Sequence, residues 1–255
     1  MKFTGVLLSV GLLLFLPLLA FSQEDDFSYS SERLFGVNIN TNAGFLGGVY
    51  GKYSRIKHEN RADFLSLDIV NVSHQQEIKV SSITTGNSYV YEKSNYFFVI
   101  RPTLGKEFLV FPAAREGGVQ ISTSLGGGIS AGLLKPYFIK YDYSKEHDMS
   151  LVEQVPFDSR LHTVSYRILG HGGFFKGLNL IKFVPGLHFK GSVIFYFGSK
   201  GNRVSGLEAG FLAEGFFKAG NGEGLQRYKV PILSLAQNKW FFSTLFVNIF
   251  FGWRK

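Results

Sequence analysis

Three side chains in this sequence have the types that an acid/base centre needs: His188, Glu208 and Glu214. A carboxylate that orients an imidazole is a common device for moving protons, so His188 with either glutamate would make such a pair. A second set is His162 or His171 with Ser165, a hydroxyl close in sequence to two imidazoles. No nucleophile motif accompanies either set. The simpler reading is that Lys52, Asp68, Arg101, His188, Lys190, Glu208, Glu214 and Lys218 form a charge network that pairs inside the protein. That reading leaves no catalytic residue.

Metal and cofactor chemistry find little support. The six histidines, His58, His74, His147, His162, His171 and His188, lack the spacing of H-E-x-x-H, and Glu146-His147-Asp148 reads as a solvated loop. There is no cysteine, which excludes disulfides, thiolate metal ligands, a cysteine nucleophile and a lipidated cysteine. Gly126-Gly127-Gly128 lacks the Lys-Ser/Thr ending of a phosphate loop and reads as close packing within a strand. Asn71-Val72-Ser73 matches a glycosylation pattern by composition only. No metal and no cofactor are expected.

The elements that must position these residues are strands. Val119 to Leu133 puts Val119, Ile121, Leu125, Ile129, Ala131 and Leu133 on one side and Gln120, Ser122, Ser124 and Ser130 on the other. A half-buried soluble strand is about five or six residues long, so alternation over this length asks for lipid on one face and a polar lumen on the other. Seven further segments repeat the pattern: 33 to 40, 44 to 56, 62 to 73, 95 to 105, 183 to 198, 205 to 219 and 240 to 253. The fifth in chain order, Val119 to Leu133, is expected to extend toward Tyr143. The fold class is therefore all-β, a transmembrane antiparallel up-and-down barrel of eight strands. Ten strands follow if the link 144 to 182 hides a hairpin near His162 to Leu169.

The links have two sizes. Residues 57 to 61, 106 to 116 and 199 to 204 would be the short periplasmic turns. Residues 41 to 43, 74 to 94, 144 to 182 and 220 to 239 would be the outer links, three of them long. Both termini then face the periplasm. Trp240 and Trp253 bracket the last strand, and thirteen steps at about 3.3 Å with a tilt near 40° span roughly 33 Å. With Tyr53 they are the expected aromatic anchors at the membrane interfaces.

Met1-Lys2, the apolar run Val6 to Leu19 and Ala20-Phe21-Ser22 make an export signal with cleavage after Ser22. Residues 1–22 are thus a signal peptide and 23–255 the barrel, 233 residues that suit one domain. The 27 Phe, 12 Tyr and 30 Gly suit aromatic strands with tight turns. The net charge of +8 is dispersed and no nucleic-acid motif is present, so the excess is assigned to anionic outer-membrane lipids and lipopolysaccharide phosphates.

Several segments also carry a family resemblance. They are Lys93 to Pro102, Gly117-Gly118-Val119, Gly132 to Tyr137, Phe174 to Leu178, Pro185-Gly186-Leu187, Leu207 to Gly210, Pro231-Ile232-Leu233 and Phe251-Gly252. In these the chain resembles an uncharacterised family of Bacteroidetes outer-membrane β-barrel proteins, departing from it at Glu92, where the family has glycine. The resemblance implies an outer-membrane barrel and brings no catalytic residue.

A narrow barrel filled by side chains leaves its surfaces as the useful features. The expected function is a small, non-enzymatic barrel that serves as a structural or accessory subunit of an envelope complex for outer-membrane protein assembly or secretion. The alternatives are an outer-membrane lipid-modifying enzyme and a narrow small-solute channel.

Overall fold

The computed structural model describes residues 30–58, 60–113, 118–144, 151–200, 202–219, 225–234 and 236–255. The expected export signal, residues 1–22, and the Glu146-His147-Asp148 loop lie outside the described residues.

Strands β1 (Ser31–Asn40), β2 (Gly44–His58) and β3 (Arg61–Val72) follow one another as antiparallel neighbours. A short hairpin comes next, β4 (Lys79–Ser81) with β5 (Ser88–Val90). Long strands β6 (Asn95–Phe111) and β7 (Val119–Pro136) then extend the sheet from β3. A separate three-stranded sheet is formed by β8 (Phe138–Asp142), β9 (Val152–Pro156) and β10 (Ile168–His171). Strands β11 (Lys182–Lys200) and β12 (Arg203–Ala219) return to the main sheet, the short β13 (Leu225–Arg227) sits on β12, and β14 (Phe241–Arg254) ends the chain. Because β11 pairs with both β7 and β12, and β14 with both β12 and β1, eight strands close into an antiparallel barrel.

Period-two alternation explains these elements. Along β3 the inward Phe64, Ser66, Asp68 and Val70 are buried, while the outward Leu65, Leu67 and Ile69 are exposed. Strand β14 repeats this, with Phe241, Leu245, Val247, Ile249 and Phe251 exposed and Phe242, Thr244, Phe246, Asn248 and Phe250 buried. A one-residue slip would exchange the two sets, so the apolar exterior fixes the register. The triple glycine admits the neighbouring backbone: a Cβ at Gly128 would lie 2.1 Å from the Pro102 carbonyl oxygen.

The links match the two expected sizes, with strands longer than the sequence pattern marks. One end has only 59–60, 112–118 and 201–202 between barrel strands; the other has 41–43, 73–94, 137–181 and 220–240. Two expectations are corrected here. The fifth strand does not run on to Tyr143: it ends at Pro136, which has no N–H to continue the ladder, and β8 belongs to another sheet. The ten-strand alternative also fails, because β9 and β10 within the long link pair with β8 and not with the wall.

The long-link end is built up into a cap. Tyr89, Tyr137, Ile139, Tyr141 and Ile168 form its small core, with the Val90 N–H donating to the Tyr137 hydroxyl at 2.9 Å. Burial pushes that phenol up to about 12. Between cap and lumen, Val230 and Ile232 of the last long link join Val72, Phe97, Val99, Leu134, Phe216 and Phe242 in an apolar layer. This segment is held across the mouth by the Ile232 carbonyl, which accepts from Ser94 N–H (2.9 Å) and Asn95 N–H (3.2 Å).

Candidate functional site

The lumen beneath that apolar layer is filled by polar side chains in three tiers. In the first, β6 and β12 bring Arg101 and Glu214 together across the interior. Arg101 donates Nε–H and an NH2 group to the two Glu214 oxygens at 2.8 and 2.7 Å, a bidentate fork. Ser130 donates its hydroxyl to Glu214 Oε1 at 2.5 Å, so its oxygen accepts from His188 Nδ1–H at 3.0 Å. The other ring nitrogen of His188 then accepts from the Thr103 hydroxyl at 2.9 Å. Every polar atom of the imidazole is satisfied in that tautomer.

The middle tier centres on Lys190, whose Nζ lies 3.3 Å from Glu208 Oε1 and 3.6 Å from Asp68 Oδ2. The Tyr50 and Phe246 rings flank the ammonium at 4.8 and 4.7 Å. Glu208 also accepts from Ser192 (2.7 Å) and from Asn248 Nδ2 (2.9 Å). Asn248 in turn accepts from Asn38, and Asn38 from Asn40, each at 2.7 Å. Lys190 is thus one cation between two carboxylates. Neither Asp68 oxygen has a hydrogen-bond partner among the described residues, and both belong to a small cavity that Asn40, Thr244 and Phe246 also line.

The third tier lies toward the short-turn end. Lys52 Nζ meets Glu107 Oε2 at 2.5 Å, and Tyr196 donates its hydroxyl toward Glu32 (2.8 Å) and Glu107 (2.9 Å). Arg254 Nε donates to Glu32 at 2.6 Å with its guanidinium over the Tyr196 ring. Leu34, Ile194, Val204 and Phe250 join Tyr50 and Tyr196 in an apolar cluster on the cap side of Glu32 and Arg254, which face each other at the outermost rungs of β1 and β14. An apolar layer thus covers the charged tiers at the cap end, and the small cavity in the middle tier holds about one water-sized molecule.

Seven of the eight proposed network residues, Lys52, Asp68, Arg101, His188, Lys190, Glu208 and Glu214, are buried in these tiers. Lys218 is corrected: it has the inward parity of β12 but lies past the last inward core residue, Phe216, and is exposed at the rim. Sequence reasoning missed Glu32, Glu107, Tyr196 as a bridge, and Arg254. Glu107 was recoverable from strand parity, since it shares a face with Arg101 and Thr103; the expected strand stopped two residues short of it.

His188 stands directly across from Glu214 in the β11–β12 pairing and is hydrogen-bonded to it through Ser130, while its ring nitrogens are taken by Ser130 and Thr103 and not by Glu208. His162 is buried in the cap, where its Nδ1 accepts from Asp158 N–H at 3.0 Å and its Nε2 lies 3.0 Å from the Tyr143 hydroxyl. His171 and Ser165 are exposed in the cap, and His171 Nδ1 faces the Gly172 carbonyl at 3.0 Å. Among the described residues no cluster of three metal-ligating side chains exists.

The expected anchors lie toward the two ends of the wall. Trp253 packs against Phe35 (6.2 Å) and Phe251 (6.3 Å) at the short-turn end, and Tyr53 lies on the same half beneath Arg33. Trp240 packs against Phe217 and Phe241 at the cap end, just before β14 begins.

No family model and no curated protein matches this chain. Among solved structures it is similar to Ail, the attachment invasion locus protein of Yersinia pestis, crystallised with the heparin analogue sucrose octasulfate. The likeness covers 90% of this chain and 100% of Ail, at 10% identity and a TM-score of 0.38.

Proposed function

We propose that the protein is a small outer-membrane barrel with a filled lumen, exported by its N-terminal signal, whose working surfaces are its cap and its lipid-facing wall. The observation that carries this reading is the exterior: Phe35, Val49, Leu65, Leu67, Leu104, Leu125, Ile129, Phe183, Leu187, Phe189, Leu245 and Phe251 are all at least 44% exposed. An apolar surface that encircles a closed sheet belongs in hydrocarbon, where such a sheet leaves no backbone group unpaired. Short turns on one end and a folded cap on the other support an orientation with the termini at the periplasmic side and the cap outward.

Interior charge pairs and the apolar layer at the cap end occupy the lumen among the described residues, which disfavours a solute channel. The role is then structural or accessory, the cap or wall docking to a larger envelope assembly for outer-membrane protein insertion or secretion. The resemblance to Bacteroidetes outer-membrane barrels is in keeping with this. Affinity purification of the tagged chain from detergent-extracted native membranes, after crosslinking, tests it. A stoichiometric envelope partner supports the role, and recovery of the chain alone at every crosslinker dose refutes it. Altered lipid A or phospholipid profiles on deletion would favour the lipid-modifying alternative instead.

A further inference from the structure

Lys218, Arg227, Lys229 and Lys239 are all exposed near one another on the cap-end rim. Strand pairing puts Lys218 opposite Gln226 and Phe217 opposite Arg227, and the Val230 N–H donates to the Lys239 carbonyl at 3.0 Å. None of the four forms an ion pair with a described carboxylate, whereas the exposed Lys57 on the opposite end meets Asp63 at 2.6 Å. Four cations confined to two adjoining hairpin arms concentrate positive charge there, which favours an anionic ligand.

The surroundings set the depth at which such a ligand would lie. The Arg227 guanidinium stacks on the Trp240 ring at 4.5 Å, and Trp240 packs on Phe217 and Phe241 at 6.3 and 5.7 Å. Phe241 leads down the wall to the exposed Leu245, Val247 and Ile249. A tryptophan at the top of such a band lies at headgroup level, which fixes the guanidinium at the same depth. A guanidinium whose carbon lies over an aromatic ring face is positioned by the ring without using its N–H groups, and those groups match two phosphate oxygens.

We propose that this rim binds the phosphates of an acylated, phosphorylated glucosamine lipid of the lipid A class, with Arg227 as the fork, Lys218, Lys229 and Lys239 as supporting charges, and Phe241 and Leu245 against its acyl chains. The inference rests on the outer-membrane reading above and commits to the glycolipid of the outer leaflet over a glycerophospholipid. Several cations spread along two chain segments suit a headgroup that carries two separated phosphates.

The full chain, reconstituted in phosphatidylcholine vesicles, is titrated with diphosphorylated lipid A, with its dephosphorylated form and with phosphatidylglycerol, and Trp240 emission is read. The wild type should bind the diphosphorylated lipid well above the other two. Glutamine at all four positions should weaken binding by about tenfold or more. A charge-matched control with Arg55→Gln, Arg61→Gln, Lys106→Gln and Arg203→Gln, all exposed at the opposite end, should bind as the wild type does. Equal binding of phosphatidylglycerol, or equal losses in the quadruple variant and the control, overturns the inference and leaves the barrel reading intact. A wild-type chain that does not enter vesicles removes both.

Discussion

Replacing Glu214 by Gln keeps the side chain's shape and removes its charge. Arg101, 3% exposed, then faces a neutral amide with no other carboxylate at hydrogen-bond distance. Breaking one side of a buried ion pair costs about 3–5 kcal/mol, because the remaining charge stays desolvated. Arg101→Met leaves the opposite orphan, a carboxylate still receiving the Ser130 hydroxyl, and should cost a similar amount. The double variant removes both charges and should lose less than either single change, about 1–3 kcal/mol, so the coupling is large and of compensating sign. Urea unfolding in lipid vesicles, followed through Trp240 and Trp253 emission, resolves this. With an m-value of about 2–3 kcal/mol/M, each single variant should lower the midpoint by about 1–2 M. Additivity of the two single losses within about 0.5 kcal/mol would refute the claim that compensated charges hold the lumen together.

Gly128→Ala should reduce stability by about 1–3 kcal/mol or stop assembly, since its methyl has no room beside the Pro102 carbonyl; heat-modifiable migration on gels reports the folded fraction. Burial holds the His162 imidazole below its usual range, so the folded cap binds fewer protons than the unfolded one. The cap's stability is therefore full above about pH 6.5 and falls as acid protonates the ring and displaces the Asp158 N–H. Hydrogen-exchange protection factors at residues 139–143 and 152–157 should fall between pH 7.5 and pH 5, and His162→Phe should flatten that dependence; equal pH sensitivity in the variant would disprove the assignment. Single-tryptophan variants that keep Trp240 or Trp253 should both be quenched by lipids brominated near the headgroup more than by lipids brominated near the chain end. Deep quenching of either one would misplace the belt.

Strand periodicity was the legible part of this sequence. Lipid on one side and a packed polar interior on the other impose strict alternation, and residues such as Leu65, Leu67 and Ile69 against Ser66 and Asp68 record it directly. The pairing of interior charges was less legible, because partners such as Arg101 and Glu214 lie 113 residues apart and depend on how the ring closes. Glu32 and Glu107 escaped notice since alternation fades near strand ends. The cap was the least legible: its strands β8 to β10 are short, and Tyr137, Ile139 and Tyr141 show an alternation that, read locally, continues β7. Only Pro136 marks the break.

The contact between the first and last strands has a temporal meaning. Glu32 to Asn40 pair with Arg254 back to Phe246, and Ser30 and Ser31 donate to the Lys255 carbonyl. The wall thus cannot shut until β14 has been made and delivered, and every earlier stage of biogenesis carries two open edges. Such edges invite pairing with other chains, so the unclosed sheet is an aggregation hazard until β14 docks on β1. Deleting the residues of β14 that pair with β1 should convert a membrane protein into a substrate for proteolysis.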